Sequence, residues 1–106
     1  MAYHQVASDS QAEATYKAAV LADPNNFRTW LGMGLVEQRL GKFTDASDAF
    51  LRSAQIAPSP VGYLLLEKAL ARSGHNVEAA AAREKAQQLS PDLRTPQQIA
   101  DSLLTQ

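Results

Sequence analysis

Residues 39–50 read RLGKFTDASDAF: a glycine, then an acid, two alanines three positions apart and an aromatic residue. A similar frame returns 33 positions later as RSGHNVEAAAAR, residues 72–83. Glycine commonly ends a helix because it adopts the left-handed backbone conformation without a steric penalty. Each stretch therefore predicts a tight turn that joins two helices.

The repeat extends beyond these two stretches. Pro24, Pro58 and Pro91 lie 34 and then 33 positions apart, and the aromatic residues Trp30 and Tyr63 are also 33 apart. Self-similarity at this period is the signature of a stack of helical units. The chain is rich in alanine, the best helix former, and lacks the alternation of a β-strand. We therefore predict an all-α fold, an α-solenoid of stacked antiparallel helix pairs.

Local signals place the helices. They are expected from about Asp9 to Ala22, from the N-cap Asn26 to Leu40, from Thr44 to Ile56, from the N-cap Ser59 to Gly74 and from Val77 to Leu89. Ser8 and Gln11 have capping-box spacing, so the first unit is expected to retain one helix, with its partner reduced to a stub or missing. Thr95, Pro96 and Gln98 predict the start of a last helix.

This last helix carries an apolar stripe and is expected to cover the exposed end of the stack. The stripe consists of Ile99, Ala100, Leu103 and Leu104. A single domain, residues 1–106, is predicted, divided into a partial first repeat (1–26), a second repeat (27–59), a third repeat (60–94) and a capping helix (95–106).

Composition excludes several classes of function. The 106 residues carry a formal net charge of -1 with acids and bases interspersed, so we expect no nucleic-acid partner. No apolar run is long enough to cross a bilayer, and no cysteine is present for a disulfide or thiolate site. We expect a soluble protein with no direct membrane insertion, in the cytoplasm in preference to the periplasm. A signal peptide removed before Met1, or a longer parent protein, stays open.

The sequence contains no recognisable catalytic or metal-binding motif. His75 follows Gly74 and is expected to be an exposed turn residue, and His4 lies in a terminus expected to fray. Gly32 and Gly34 form a G-x-G within a predicted helix, which favours close helix packing over phosphate binding. We expect neither enzymatic activity nor a cofactor or metal.

The pattern resembles the tetratricopeptide-repeat family, whose units of about 34 residues carry W-x2-L-G-x2-Y, then A-x3-F, then P. The middle unit matches at Trp30, Met33, Gly34, Ala46, Phe50 and Pro58, and the resemblance covers about residues 8–94. Two residues depart from the motif: Glu67 replaces a small residue and Arg83 an aromatic one, which predicts looser packing in the last unit.

The resemblance implies a scaffold that binds a peptide or helix of a protein partner in a concave groove. The groove residues implied by the family pattern are Arg28, Leu31, Gly32, Leu35, Gln38, Arg39, Val61, Leu64, Leu65, Lys68 and Arg72. The leucines would form an aliphatic floor and Arg39, Lys68 and Arg72 a basic rim, which favours a partner with apolar anchors and acidic character. The family's Asn-and-Lys carboxylate clamp is not reproduced.

Two alternatives stay open. The leucines of the floor are equally compatible with burial between neighbouring helices or under the last helix. The chain is also compatible with an architectural role: Tyr16 and Trp30 are expected to be uncovered at the N-terminal end, which would then dock on upstream chain, on a second copy in a homo-oligomer, or in a larger assembly.

Overall fold

The computed structural model describes the backbone of residues 2–105 and the side chains of residues 7–105. This part of the chain is helical and contains no strand. Its six helices are α1 (Ala2–Ala22), α2 (Phe27–Arg39), α3 (Phe43–Ile56), α4 (Pro60–Arg72), α5 (Asn76–Leu89) and α6 (Arg94–Leu104). Helices α2 and α3 form one packed pair and α4 and α5 a second, with α1 packed on α2 and α3 packed on α4. The predicted all-α stack of helix pairs is confirmed.

The two tight turns predicted within residues 39–50 and 72–83 are confirmed. Gly41 and Gly74 adopt φ angles of 77° and 84°. In the first turn, the amide of Lys42 donates to the carbonyl of Glu37 at 2.9 Å. In the second, the amide of His75 donates to the carbonyl of Leu70 at 2.8 Å. These bonds satisfy carbonyl groups at the helix ends, and the glycines provide the left-handed backbone that the bonds require.

Small residues bring the helices into close contact. A Cβ atom on Gly34 would lie 2.6 Å from the Phe50 ring, and one on Gly32 would lie 2.6 Å from the ring of Tyr16. Ala46 and Phe50 are fully buried. The interpretation of the G-x-G as a helix-packing feature is confirmed, because both glycines lie within α2 and face aromatic rings of neighbouring helices.

The predicted caps of α2 and α4 are confirmed. The Asn26 side chain accepts a hydrogen bond from the amide of Arg28 at 3.1 Å, and the Ser59 hydroxyl accepts one from the amide of Gly62 at 3.0 Å. Pro60 occupies the first turn of α4, where its missing N–H leaves no hydrogen bond unmade. Helix starts with a side-chain cap were therefore the most predictable boundaries.

The predicted start of the first helix was wrong. Helix α1 begins at Ala2, so Ser8 lies inside the helix and not at its N-cap. Asp9 and Glu13 bind Arg39 and Lys42 at the end of α2 and the turn after it, and these contacts hold the N-terminal half of α1 in place. His4 lies in this helix, and its side chain is outside the described residues.

The predicted cap of the last helix was also wrong. Helix α6 begins at Arg94, and the carboxylate of Asp92 accepts a hydrogen bond from the Arg94 amide at 3.0 Å. Thr95 is therefore already inside the helix. Leu93, only 9% exposed, is anchored in the core at the position before α6. Burial of Leu93 together with the Asp92 hydrogen bond fixes the start two residues earlier than a Thr95 cap followed by Pro96 would give.

The two residues that depart from the family motif contact each other. The Arg83 guanidinium of α5 lies 3.2 Å from the carboxylate of Glu67 on α4. An ion pair thus links these helices where the motif would have a small residue and an aromatic ring. The division of the chain into repeat units, by contrast, stays a prediction.

Candidate partner-binding groove

Helices α2 and α4 present the residues that the repeat pattern assigns to a groove. Helix α2 carries Arg28, Leu31, Gly32, Leu35, Gln38 and Arg39, and α4 carries Val61, Leu64, Leu65, Lys68 and Arg72. Helix α6 packs against α4 and also contacts α2. On this face of α2 and α4 the repeat pattern predicts a concave groove, and it is called the concave face. Helix α6 lies on it.

The leucines of the predicted floor are largely covered. Leu64 is 2% exposed and Leu65 is fully buried, within the same core cluster as Ala100 of α6. Leu31 and Leu35 are half-buried against that cluster. Of the two arrangements left open by the sequence, burial is the one found for the α4 leucines, and an aliphatic edge remains on α2.

The C-terminal ends of α2 and α4 frame a cavity of about 500 Å³ with α6. It brings together four of the predicted groove residues, Gln38, Arg39, Lys68 and Arg72. Phe43 lines the cavity from α3, and Asp101, Leu104 and Thr105 line it from the C-terminal end of α6 and the residue after it. Arg28 lies in the first turn of α2, about 16 Å along the helix from Arg39, and does not line this cavity.

Arg39 is engaged by α1. Its Nε and Nη2 atoms donate to the carboxylate of Asp9 at 3.0 to 3.2 Å, a two-pronged geometry that guanidinium and carboxylate groups favour. The Asp9 residue is 4% exposed. Most of the positive charge of Arg39 is therefore compensated inside the protein, although the residue still lines the cavity.

Lys68 and Arg72 are differently placed. The Arg72 guanidinium lies over the Phe43 ring, 5.8 Å from its centre, and Lys68 is exposed on the next turn of α4. Within residues 7–105, neither side chain forms an ion pair with a carboxylate. The basic character of the rim therefore comes mainly from α4.

A pair of buried carboxyl groups lies where α1 meets α2. Glu13 is 7% and Glu37 3% exposed. Burial raises the pKa of Glu37 from 4.5 to about 7, and the carboxylates of Asp45 and Glu13 act in the same direction. A hydrogen bond from Lys42, with a length of 2.8 Å, lowers the pKa of Glu13. Because the two pKa values move apart, Glu13 carries the negative charge, whereas Glu37 stays protonated in mildly acidic solution and loses its proton only around pH 7. Nothing in the repeat pattern indicated this pair.

The structure places His75 next to a serine hydroxyl, and among the described side chains it forms no ion pair. His75 is exposed in the turn after Gly74, as predicted, with its Nδ1 atom 2.9 Å from the Ser73 hydroxyl oxygen. Among residues 7–105, no group of three or more histidine or acidic side chains is arranged to hold a metal ion. In the same part of the chain, no helix is both long and apolar enough to cross a membrane.

Comparison with solved structures identifies similar folds. A structure of the type III secretion translocator chaperone SycD from Yersinia enterocolitica superposes with a TM-score of 0.76, at 22% sequence identity over 96% of this chain and 73% of that one. A second structure of the same chaperone, described as an alternative dimer, gives a TM-score of 0.74 at 22% identity over 96% of this chain and 80% of that one. These similarities show that the chain has a tetratricopeptide-like helical-repeat fold. No protein-family model and no curated protein sequence matches it.

Proposed function

We propose that this chain is a protein-binding scaffold of the tetratricopeptide-repeat family, with its partner bound on the concave face of α2 and α4. The observation that carries the proposal is the cavity where Gln38, Arg39, Lys68 and Arg72 converge beside apolar surface. Lys68 and Arg72, which form no ion pair with a carboxylate within residues 7–105, lie next to half-buried aliphatic side chains, and such a surface suits an acidic segment with apolar anchors. The similar fold of a secretion chaperone is compatible with this role.

Charge reversal at Lys68 tests the site. A panel of acidic amphipathic peptides, each labelled with fluorescein, is titrated with the unmodified chain and with Lys68→Glu, and fluorescence anisotropy gives the dissociation constants. Loss of one favourable charge and gain of a repulsive one should weaken binding about tenfold or more. Lys85→Glu on α5 is the matched control, because Lys85 is exposed and does not line the cavity.

Comparison of the two variants distinguishes binding at the cavity from binding at another surface. Weaker binding by Lys68→Glu with unchanged binding by Lys85→Glu supports the groove. If Lys68→Glu and Lys85→Glu bind the peptides with the same affinity, the peptides do not bind at the cavity lined by Lys68, and the proposed site would be abandoned. Leu35→Glu provides a second probe, since Leu35 is half-buried on the α2 edge.

A second function, self-association through the N-terminal end, is favoured by one observation. Leu21 near the end of α1 is 84% exposed, on a helix that has α2 as its packed neighbour. Tyr16 and Trp30, expected to be uncovered, are instead half-buried beside Val20 and Met33. Self-association through the N-terminal end would therefore use the outer face of α1, where Leu21 is exposed.

Multi-angle light scattering over a range of protein concentrations tests this second function. A dimer that Leu21→Ser abolishes supports it. Val77→Ser is the control, because Val77 is 81% exposed at the start of α5. A monomer at every concentration would exclude the N-terminal end as an interface between copies.

A further inference from the structure

Helix α6 covers more than the end of the stack. A helix that only closed the last repeat would lie beside α4 and α5, whereas α6 packs on α4 and also contacts α2, which belongs to the preceding helix pair. Ala100 is 1% exposed, and Leu103 and Leu104 are half-buried against the core cluster that contains Leu64 and Leu65. The aliphatic part of the concave face is thus already occupied by a segment of the same chain.

The attachment of α6 is slight for a helix of 11 residues. Of its side chains, Ala100 is the one that is buried, and the large apolar residue Ile99 is 47% exposed. Its polar link to α5 is a single long hydrogen bond, 3.4 Å from Arg83 to Gln97. The preceding Leu93 is separately anchored in the core, so α6 can leave the face while the residue before it stays in place.

The one acid of α6, Asp101, is opposite in charge to the basic surface beneath the helix, and its carboxylate accepts a hydrogen bond from Gln97 of α6 at 3.0 Å. Asp101 lines the same cavity as Lys68 and Arg72, the two cations of α4 that lack a carboxylate partner within residues 7–105. The sequence ADSLL, residues 100–104, therefore places a small residue and two leucines on one side, with an acid adjacent to the basic rim. Residues three and four positions apart share one face of a helix.

We infer that α6 is a built-in occupant of the concave face, and that the partner is an acidic amphipathic helix of the same pattern which binds by displacing α6. This inference rests on the proposed use of that face for binding. The partner pattern is a small residue, an acid at the next position, and large aliphatic residues three and four positions after the small one. The face is available only when α6 is displaced. The apparent affinity for the partner is therefore the intrinsic affinity multiplied by the fraction of molecules in which α6 is displaced.

Hydrogen exchange of the full chain tests the opening of α6 with no partner present. Backbone amides of α6 should exchange at least about tenfold faster than those of α4, because α6 opens without unfolding of the stack. Equal protection of the two helices would mean that α6 leaves only on global unfolding, and it would overturn the inference.

Binding in trans provides the second test. The probe is a fluorescein-labelled peptide with the sequence DLRTPQQIADSLLT, residues 92–105. The full-length variant Leu103→Ser/Leu104→Ser should bind this peptide about tenfold more tightly than the unmodified chain, because its own α6 is held less firmly. Ile99→Ser, on the exposed side of the same helix, should leave the affinity unchanged. An unchanged affinity for the double-serine variant would contradict the inference.

A comparison of the linked and unlinked forms of one variant avoids dependence on those substitutions. Ala71 and Asp101 line a second cavity between α4, α5 and α6, and the chain contains no cysteine of its own. In Ala71→Cys/Asp101→Cys, a bis-maleimide linker should tie α6 to α4 and weaken binding of the peptide about tenfold or more relative to the unlinked form. Equal binding by the two forms would overturn the inference.

The combined results distinguish this inference from the proposed function. Binding that depends on Lys68 but is indifferent to the linker overturns displacement of α6 and leaves the groove standing. Binding that the linker blocks and that Lys68→Glu weakens supports both. If Lys68→Glu has no effect on any peptide, the proposed site fails, and the inferred partner fails with it, whatever hydrogen exchange shows about α6.

Discussion

The buried carboxyl group of Glu37 allows a quantitative test of how α1 and α2 pack. Glu37 is 3% exposed and lies beside Glu13, and its pKa is raised from 4.5 to about 7, mainly by burial. Replacement by glutamine preserves the shape of the protonated side chain and removes its ability to ionise. We therefore predict that Glu37→Gln changes the pH dependence of stability and leaves the fold intact.

The direction follows from proton linkage. Below pH 4.5, Glu37 is protonated in both the folded and the unfolded chain. As the pH rises from 4.5 to about 7, the unfolded chain loses this proton first, so the free energy of unfolding falls. The difference between the two pKa values corresponds to about 3 kcal/mol at about 1.4 kcal/mol per pH unit. Glu13 acts in the opposite sense, because its lowered pKa gives stability that is lost only as the pH falls below 4.5.

Urea unfolding followed by far-ultraviolet circular dichroism at pH 5, 6, 7 and 8 measures the effect. Relative to the unmodified chain, Glu37→Gln should differ by less than about 1 kcal/mol at pH 5 and be about 2 to 3 kcal/mol more stable at pH 8. Glu84→Gln, an exposed acid on α5, should show no such trend. A difference between Glu37→Gln and the unmodified chain that stays constant from pH 5 to 8 would refute the buried, proton-retaining carboxyl group.

Three further experiments test a helix contact, a turn and an ion pair. Gly34→Ala forces a methyl group against the Phe50 ring, and urea unfolding should show a loss of about 1 to 3 kcal/mol; a neutral result would mean that the ring moves freely. Gly74→Ala meets no neighbouring atom, so only its left-handed backbone resists, at about 1 to 2 kcal/mol by the same measurement. A double-mutant cycle of Asp9→Asn and Arg39→Gln should give a coupling of about 1 kcal/mol or more, and additive effects would rule out a stabilising ion pair.

The fold could be predicted because its signals are local and repeated. Gly41 and Gly74 end helices through their own backbone, and Asn26 and Ser59 cap helices through bonds to residues two or three positions away. Each signal is weak alone, but a period of 33 to 34 residues repeats it in register. Helix pairing then follows because turns this short permit only antiparallel neighbours.

The sequence-based predictions fail at positions where contacts between residues far apart in the sequence determine the structure. Asp9, expected at the start of the first helix, lies within α1 and pairs with Arg39, 30 residues away, and no local pattern at Ser8 reveals that pairing. The ion pair of Glu67 and Arg83 is likewise not predictable from the motif, because the motif specifies a residue type at each position and not the distant residue that it contacts. Spacing in the sequence specifies which face a side chain occupies, but not which distant charge it meets.

In the candidate site, too, the repeat period predicts which residues lie together, whereas long-range contacts decide which of them are exposed. Gln38, Arg39, Lys68 and Arg72 line one cavity because residues at the ends of successive first helices recur at the repeat period, and their role in binding stays a prediction. Whether the leucines between them are accessible depends on α6, which follows α4 by more than twenty residues in the sequence. The apolar stripe on α6 predicted that this helix covers the exposed end of the stack, whereas α6 packs on α4 and also contacts α2 of the preceding helix pair.

The position of α1 also determines the charge of the proposed binding face. Because Asp9 engages Arg39, the arginine at the end of α2 contributes shape and little net charge, while Lys68 and Arg72 on α4 remain without carboxylate partners within residues 7–105. In the proposed binding mode, α2 therefore provides apolar contact through Leu31 and Leu35, and α4 provides the attraction for acids. The two sides of the face select for different properties, so a partner helix needs its acids on the side that approaches α4. Asp101 of α6 already lines the cavity with Lys68 and Arg72, which is why an occupant from the same chain is a guide to the chemistry of an external one.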